Sequence, residues 1–201
     1  MLIKTLLSAA ILAASSFGAV VQALAPGDLA PGPFTIHDFE TTAGGPGATY
    51  SSPSGVRQFA GVSIGPAHSG NFTLSTNVSG QSITIAFDNP VTAFGLWFGN
   101  DDTCCSSGFT ASLDAFDSNG LLGTVSLIAN MNDAHDQFLG FNSSDPVTSV
   151  TLSYSSGANA LYRSIDDVMF NTGDAVPEPS TLLLAASSLA ALIALRRRSA
   201  N

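Results

Sequence analysis

Between Phe34 and Phe170 the chain is written as short β-patterned runs, each broken by Gly, Pro, Asn, Asp or Ser. Ile83, Ile85 and Phe87 alternate with Ser82, Thr84 and Ala86, the period of two expected of a half-buried strand. Asp88-Asn89-Pro90 then reads as a turn. Val91 to Gly99 is apolar on both faces, as in a central strand covered twice. Phe109 to Asp117 alternates again and ends in Ser118-Asn119-Gly120, a hairpin signal. Leu121 to Ile128, Gln137 to Asn142, Val147 to Ser155 and Ile165 to Phe170 follow, with Ser144-Asp145-Pro146 read as a break. Earlier runs lie at Phe34–Glu40, Arg57–Ile64 and Asn71–Ser75. No amphipathic helix separates them. The expected fold is all-β, a jelly-roll-like β-sandwich.

The two ends have a different grammar. Lys4 precedes an uncharged run from Leu6 to Val21, and small residues follow at Ala23 and Ala25. This is the layout of a secretory signal over residues 1–25, read by signal peptidase. Pro26 disfavours a cut just before it, so cleavage after Ala23 is preferred. At the other end, Val176-Pro177-Glu178-Pro179 is stiff and extended because two prolines fix φ. An uncharged stretch over 181–195 follows, and Arg196, Arg197 and Arg198 close it as a basic stop. The stretch is expected to be a single transmembrane helix with its arginines in the cytoplasm. As a helix it rises roughly 22 Å, short of a hydrocarbon core of about 30 Å, which suits a temporary handle better than a permanent anchor. Residues 176–201 thus form a tail, and 26–175 the body.

This ending resembles the PEP-CTERM sorting signal of Gram-negative bacteria that make exopolysaccharide. The resemblance implies an exosortase as processing enzyme, an inner-membrane intermediate, and final placement at the cell surface or in the extracellular matrix. The body is similar to that of many PEP-CTERM proteins through Phe94-Gly95-Leu96-Trp97-Phe98-Gly99-Asn100-Asp101, His135 to Phe141 and Ile165-Asp166-Asp167-Val168.

Charge narrows the partners. Of six basic residues only Arg57 and Arg163 lie in the body, whereas all fifteen acids fall between Asp28 and Glu178. A surface this acidic excludes nucleic acid, whose phosphates require basic contacts. The two cysteines, Cys104 and Cys105, are adjacent. Three states are open to them: a vicinal disulfide, cross-links to another molecule, or a reduced pair. Export favours oxidation, and the vicinal ring is the preferred reading.

Asp38-Phe39-Glu40 ends the first run and Ser164-Ile165-Asp166-Asp167-Val168 begins the last. First and last strands of a jelly roll are often neighbours, so these carboxylates are expected to converge. Hard oxygen ligands select calcium over transition metals. The pattern resembles galactose-binding-like carbohydrate modules, and the resemblance implies a structural Ca2+ with Glu40 and Asp167 at the matching positions. The candidate metal residues are therefore Glu40, Asp166, Asp167 and Asp38. Two further polar loops, Asn100-Asp101-Asp102 and Asn132 to Asp136, offer a second cation site or a sugar-binding rim with Trp97. Trp97 sits among Phe94, Leu96 and Phe98, and core packing is the expected role. His37, His68 and His135 share no metal-ligand spacing and read as surface or turn residues.

The sequence is read as carrying no Gly-x-Ser-x-Gly elbow, no His-Glu-x-x-His and no phosphate loop, so no catalytic residue is assigned. The favoured function is a non-catalytic exported surface or matrix protein associated with exopolysaccharide or biofilm. The second is a calcium-stabilised carbohydrate-binding module.

Overall fold

A computed structural model describes residues 20–60 and 64–171. The export run and the tail, including the expected helix over 181–195, lie outside the described residues. Among the described residues no helix is long and apolar enough to cross a membrane. The body is all-β, with two single 3-10 turns as its only helical pieces among the described residues. Its strands are β1 (Val20–Ala23), β2 (Phe34–His37), β3 (Ala48–Ser51), β4 (Val56–Ala60), β5 (Phe72–Thr76), β6 (Ile83–Gly99), β7 (Thr110–Phe116), β8 (Leu121–Ile128), β9 (Gln137–Tyr154) and β10 (Ser164–Asn171).

All pairings are antiparallel, and the central path runs β4-β5-β10-β6-β9-β7-β8. Two long strands dominate. β6 and β9 pair over almost their whole length, from Ile83↔Leu152 to Phe98↔Gln137. Neither Asp88-Asn89-Pro90 nor Ser144-Asp145-Pro146 ends a strand, contrary to the sequence reading. Each lies inside a long strand, and the two segments face each other where the ladder shifts register, between Ala86↔Ser149 and Ala93↔Asn142. Proline removes a ladder donor, so a single proline interrupts pairing. Here both strands carry theirs at the same level, and the interruption becomes a shared bend. On one side of it β6 pairs with β3, and on the other with β10.

One large core fills the space between the two halves. Phe94, Leu96 and Phe98 from β6, Leu113 from β7, Leu139 and Phe141 from β9, and Ile165 from β10 all point into it. The opposite face of β6 is also covered, by a small cluster of Ala23, Leu29, Ala93 and Phe138 with Trp97 and Met169 at its margin. The reading of Val91 to Gly99 as a strand covered on both faces holds. Trp97 does not join the large core, because the period of two turns it away from Phe94, Leu96 and Phe98. It is half-buried on the outer face, its ring against Phe138.

β1 extends this outer cover. It pairs with β9 from Val20↔Ser143 to Ala23↔Gly140, buries Ala23 completely, and sends Gln22 Nε2 to donate to the Ser126 carbonyl at 2.8 Å. This strand falls within the stretch assigned to the export signal, so a cut after Ala23 removes it. The four ladder residues and the buried side chain are worth about 2 kcal/mol together. A body starting at Leu24 is expected to melt about 4–8 °C below one starting at Val20. Thermal unfolding of the two bodies checks this, and N-terminal sequencing of the exported protein tells which one the cell makes.

Candidate functional site

The acidic residues of the two sequence segments bond to the same loop without grouping as metal ligands among the described residues, and the backbone shows how. Five non-glycine residues among those described have φ in the left-handed region: Phe39 (56°), Asn100 (57°), Met131 (62°), Asp133 (66°) and Asp167 (40°). Phe39 and Asp167 belong to the predicted carboxylate cluster. Phe39 turns its ring into the core, where it packs edge-on against Tyr50 at 5.3 Å, and leaves Asp38 and Glu40 outside. In β10 the pairing jumps from Asp166↔Trp97 to Met169↔Gly95, so three steps on β10 match two on β6. That bulge keeps Ile165 and Val168 both in the core and sets the consecutive Asp166 and Asp167 towards the same loop.

The loop is Pro66 to Asn71, leading into β5. Ser69 N–H donates to Asp166 Oδ2 at 3.0 Å and Ser69 Oγ–H donates to Asp167 Oδ1 at 2.9 Å. His68 Nδ1 lies 2.7 Å from Asp167 Oδ2. Asn71 N–H and Phe72 N–H both donate to Glu40 Oε1 at 2.8 Å. Gly70 has φ +58°, and a Cβ there would run into the Glu40 carboxylate. Glu40, Asp166 and Asp167 therefore grip one loop. Asp38 does not join them: its Oδ1 accepts from the Glu40 N–H at 3.1 Å within its own turn.

Asp166 is completely buried, and burial pushes its carboxyl up to about 6 against the pull of the loop amides. The donor set is hard oxygen, the type calcium takes. Its oxygens are engaged by backbone amides, Ser69 and His68, and among the described residues no three His, Cys, Asp or Glu side chains are grouped to hold a metal ion. The chemical type fits calcium, whereas the grouping seen here is a carboxylate clamp on a loop.

The histidines depart most from expectation. His68 alone is near the surface, its ring stacked on Trp97 with centroids 3.7 Å apart. His37 and His135 are buried. His37 Nδ1 is 2.7 Å from the Tyr50 hydroxyl. His135 Nδ1 is 3.0 Å from the Pro66 carbonyl, which only accepts, so the proton sits on Nδ1. Nε2 then accepts from Ser164 Oγ–H at 2.7 Å. This serine–histidine pair is sealed from solvent, with both residues at 1% exposure or less, and serves as a strut between the Pro66 loop and β10. Sequence spacing carries no signal for it, because 135, 66 and 164 are far apart in the chain.

A second feature lies around the other three left-handed residues. A pocket of about 220 Å³ opens between the segment following β6, the loop before β9 and the residues before β10. Cys104 and Cys105 are joined to each other by a disulfide and line it. Asp102 and Asp133 supply carboxylates, and Leu161 and Tyr162 the opposite wall. Asn100 Nδ2 donates to the Tyr162 carbonyl at 2.6 Å, tying the two sides together. Asp101 is buried and accepts from Met131 N–H at 2.6 Å and Asp133 N–H at 2.8 Å, which holds the left-handed turn in place. Asn100 and Asp133 belong to the two polar loops singled out in the sequence. Their rim forms around the disulfide, and Trp97 lines no part of it.

Gly61-Val62-Ser63-Ile64-Gly65 does have the Gly-x-Ser-x-Gly spacing of an elbow, which corrects the reading that none is present. That elbow requires a strand-to-helix turn. The element that follows is strand β5, and residues 61–63 lie outside the described residues.

Residues 175–198 match the PEP-CTERM protein-sorting motif. The chain carries this motif, which marks it for export and surface sorting. No curated protein matches the chain. Among solved structures it is similar to the K2 cleaved adhesin domain of Lys-gingipain, at 11% identity and TM-score 0.49, over 69% of this chain and 99% of that one. It is also similar to a family 22 carbohydrate-binding module of Clostridium thermocellum Xyn10B, at 14% identity and TM-score 0.42, over 71% and 96%. A third is TmCBM61 in complex with β-1,4-galactotriose, at 14% identity and TM-score 0.38, over 63% and 88%.

Burial lowers the His135 imidazole from 6.5 to about 4. A group whose folded value is depressed contributes stability that is present above 6.5 and lost as pH falls through about 4. The difference corresponds to about 3 kcal/mol. Asp166, raised to about 6, works in the opposite direction, so the comparison must be made between variants. His135→Gln is expected to be less stable at pH 7 and to lose less stability than the wild type between pH 6.5 and 4. Urea unfolding across that range checks it; parallel curves would refute a buried neutral His135.

Proposed function

We propose that this chain is a non-catalytic exported protein of the cell surface or extracellular matrix of a Gram-negative bacterium. The observation that carries this reading is the sorting motif at 175–198. Within it Val176-Pro177-Glu178-Pro179 precede the uncharged stretch and Arg196, Arg197 and Arg198 end it. Signal peptidase removes residues of the 1–25 segment. The tail holds the chain in the inner membrane until an exosortase cuts it, and the body over 26–175, a jelly-roll-like β-sandwich, then associates with exopolysaccharide or biofilm matrix. A non-catalytic role agrees with the chemistry on view, since the serine–histidine pair is sealed from water and its Nδ1 faces a carbonyl rather than a carboxylate. In exported material the Arg196–Arg198 end is expected to be missing by mass spectrometry. Replacing Pro177, Glu178 and Pro179 with Ala should keep the protein in the membrane fraction with its tail intact. An intact arginine end on surface-released wild-type protein would sink the sorting reading.

The second reading is a calcium-stabilised carbohydrate-binding module. It is favoured by the convergence of Glu40, Asp166 and Asp167 on one loop, with His68 as the one side chain of possible positive charge in ion-pair reach among the described residues. Glu40, Asp166 and Asp167 would hold the ion after some loop amides turn away, and the ion would fix the loop rather than take part in chemistry. On this reading calcium added to chelated protein at about 100 times its dissociation constant stabilises the fold by about 2.7 kcal/mol. Glu40→Gln is expected to remove that effect. Calorimetric melting with and without calcium decides, and an unchanged wild-type melting temperature rejects the ion.

A further inference from the structure

We infer that the pocket lined by Cys104 and Cys105 is a binding subsite for one sugar unit that carries no negative charge. The inference rests on the surface-matrix reading only for the source of such a ligand, not for the site itself.

The size comes first. At about 220 Å³ the pocket is smaller than the roughly 300–1,000 Å³ of drug-sized clefts, so it suits a single ring or a chain end. The wall chemistry comes second. A disulfide between neighbours closes a small ring with the peptide between them and offers two polarisable sulfurs with no donor hydrogen. Leu161, itself largely buried in the core, and Tyr162 complete the lining, so the disulfide is the main apolar surface offered to a sugar's C–H face. The polar groups come third. Asp102 Oδ1 is engaged by the Cys104 N–H at 2.7 Å. The Asp133 carboxylate accepts no hydrogen bond from the described residues, and burial together with Asp102 and Asp101 holds it above the usual carboxylate range. That carboxylate is partly exposed and has no protein donor among the described residues, so it is free to accept from the hydroxyl or ammonium groups of a sugar in place of solvent.

Charge excludes the alternatives. Asp101, Asp102 and Asp133 lie together, and Arg163 is turned inward onto the carbonyls of Tyr154, Ala158 and Leu161. Arg57 lies over Phe59, one ring beyond Tyr162. Uronate and sulfate groups are therefore repelled. A metal ion lacks its ligands, since only Asp102 and Asp133 bring carboxylates to the pocket and no metal-holding group is found among the described residues. Asn100 and Asp133, both left-handed and both in the lining, are held in place by the Tyr162 carbonyl and the Asp101 carboxylate.

The test titrates the full chain in detergent with oligosaccharides of glucose, galactose, glucosamine and galacturonate, following backbone amide shifts by NMR. Saturable shifts at residues 100–105, 133 and 160–162 are expected with a neutral or amino sugar and not with galacturonate; the two accepted classes separate hydroxyl from ammonium recognition. Asp133→Asn keeps a residue type that tolerates the left-handed backbone, and should weaken binding about tenfold. Cys104→Ser with Cys105→Ser should weaken it by a similar factor. If that double variant does not fold, the wild-type shifts and Asp133→Asn decide. Galacturonate binding as tightly as the neutral sugars, tighter binding by Asp133→Asn, or no shift in the pocket with any sugar would overturn the assignment. Calcium shifting these residues rather than 38–40 and 166–167 would overturn it as well. Loss of tail processing would leave these shifts untouched, so the site and the sorting reading fail separately.

Discussion

The β6–β9 ladder is the constraint on which the rest of the body depends. Each strand is long enough to serve both halves of the sheet, so every other strand but β4, which pairs with β5, is placed by pairing with one of these two or with a neighbour of theirs. A straight pair this long would leave one flat sheet with an uncovered face. Facing prolines, Pro90 and Pro146, interrupt both strands at one level, and the ladder resumes with shifted register. The interruption costs hydrogen bonds, but Pro contributes no donor to be left unpaired. The bend lets Ile83, Ile85, Phe94 and Leu96 from the same strand line a single core.

On that frame, the Ile64 to Phe72 segment links the two acidic regions. Ile64 lines the disulfide pocket, and a Cβ on Gly65 would collide with the Asp133 backbone. Pro66 offers its carbonyl to both the backbone and the ring of His135. Ser69 to Phe72 are gripped by Glu40, Asp166 and Asp167. One short piece of chain is thus clamped at one end and forms a pocket wall at the other.

Local periodicity made much of this fold legible. The runs at 83–87, 91–99, 121–128 and 165–170 fall in strands, as does 109–117 apart from its two end residues, because the faces a strand buries are written into its pattern of apolar residues. Composition misled at Asp88-Asn89-Pro90 and Ser144-Asp145-Pro146, where turn residues fill a bend inside a strand; only the partner strand tells the two apart. Trp97 packs against a core cluster as expected, but the smaller outer one, since the period of two puts it opposite Phe94, Leu96 and Phe98. That Glu40 and the Asp166–Asp167 pair lie near one loop was legible from their places beside the first and last runs, although they do not group as metal ligands among the described residues. The bulge that turns both aspartates to one side was not. His37 and His135 gave no warning of burial, since each is satisfied by partners remote in sequence.

The pocket was half legible, and the reason bears on what such a body does. Polar loops and adjacent cysteines stood out in the sequence, but a cavity is a relation between segments, and the wall from 160–162 has no distinguishing residues of its own. The clamp region spends its carboxylates on the protein: Glu40, Asp166 and Asp167 all accept bonds from the 68–72 segment. The pocket leaves Asp133 without a donor while Asp101 goes entirely to shaping the turn beneath it. Two acidic clusters of similar composition therefore differ in kind. The first closes on its own backbone, and the second leaves a partly exposed carboxylate beside the disulfide free to accept from outside the protein.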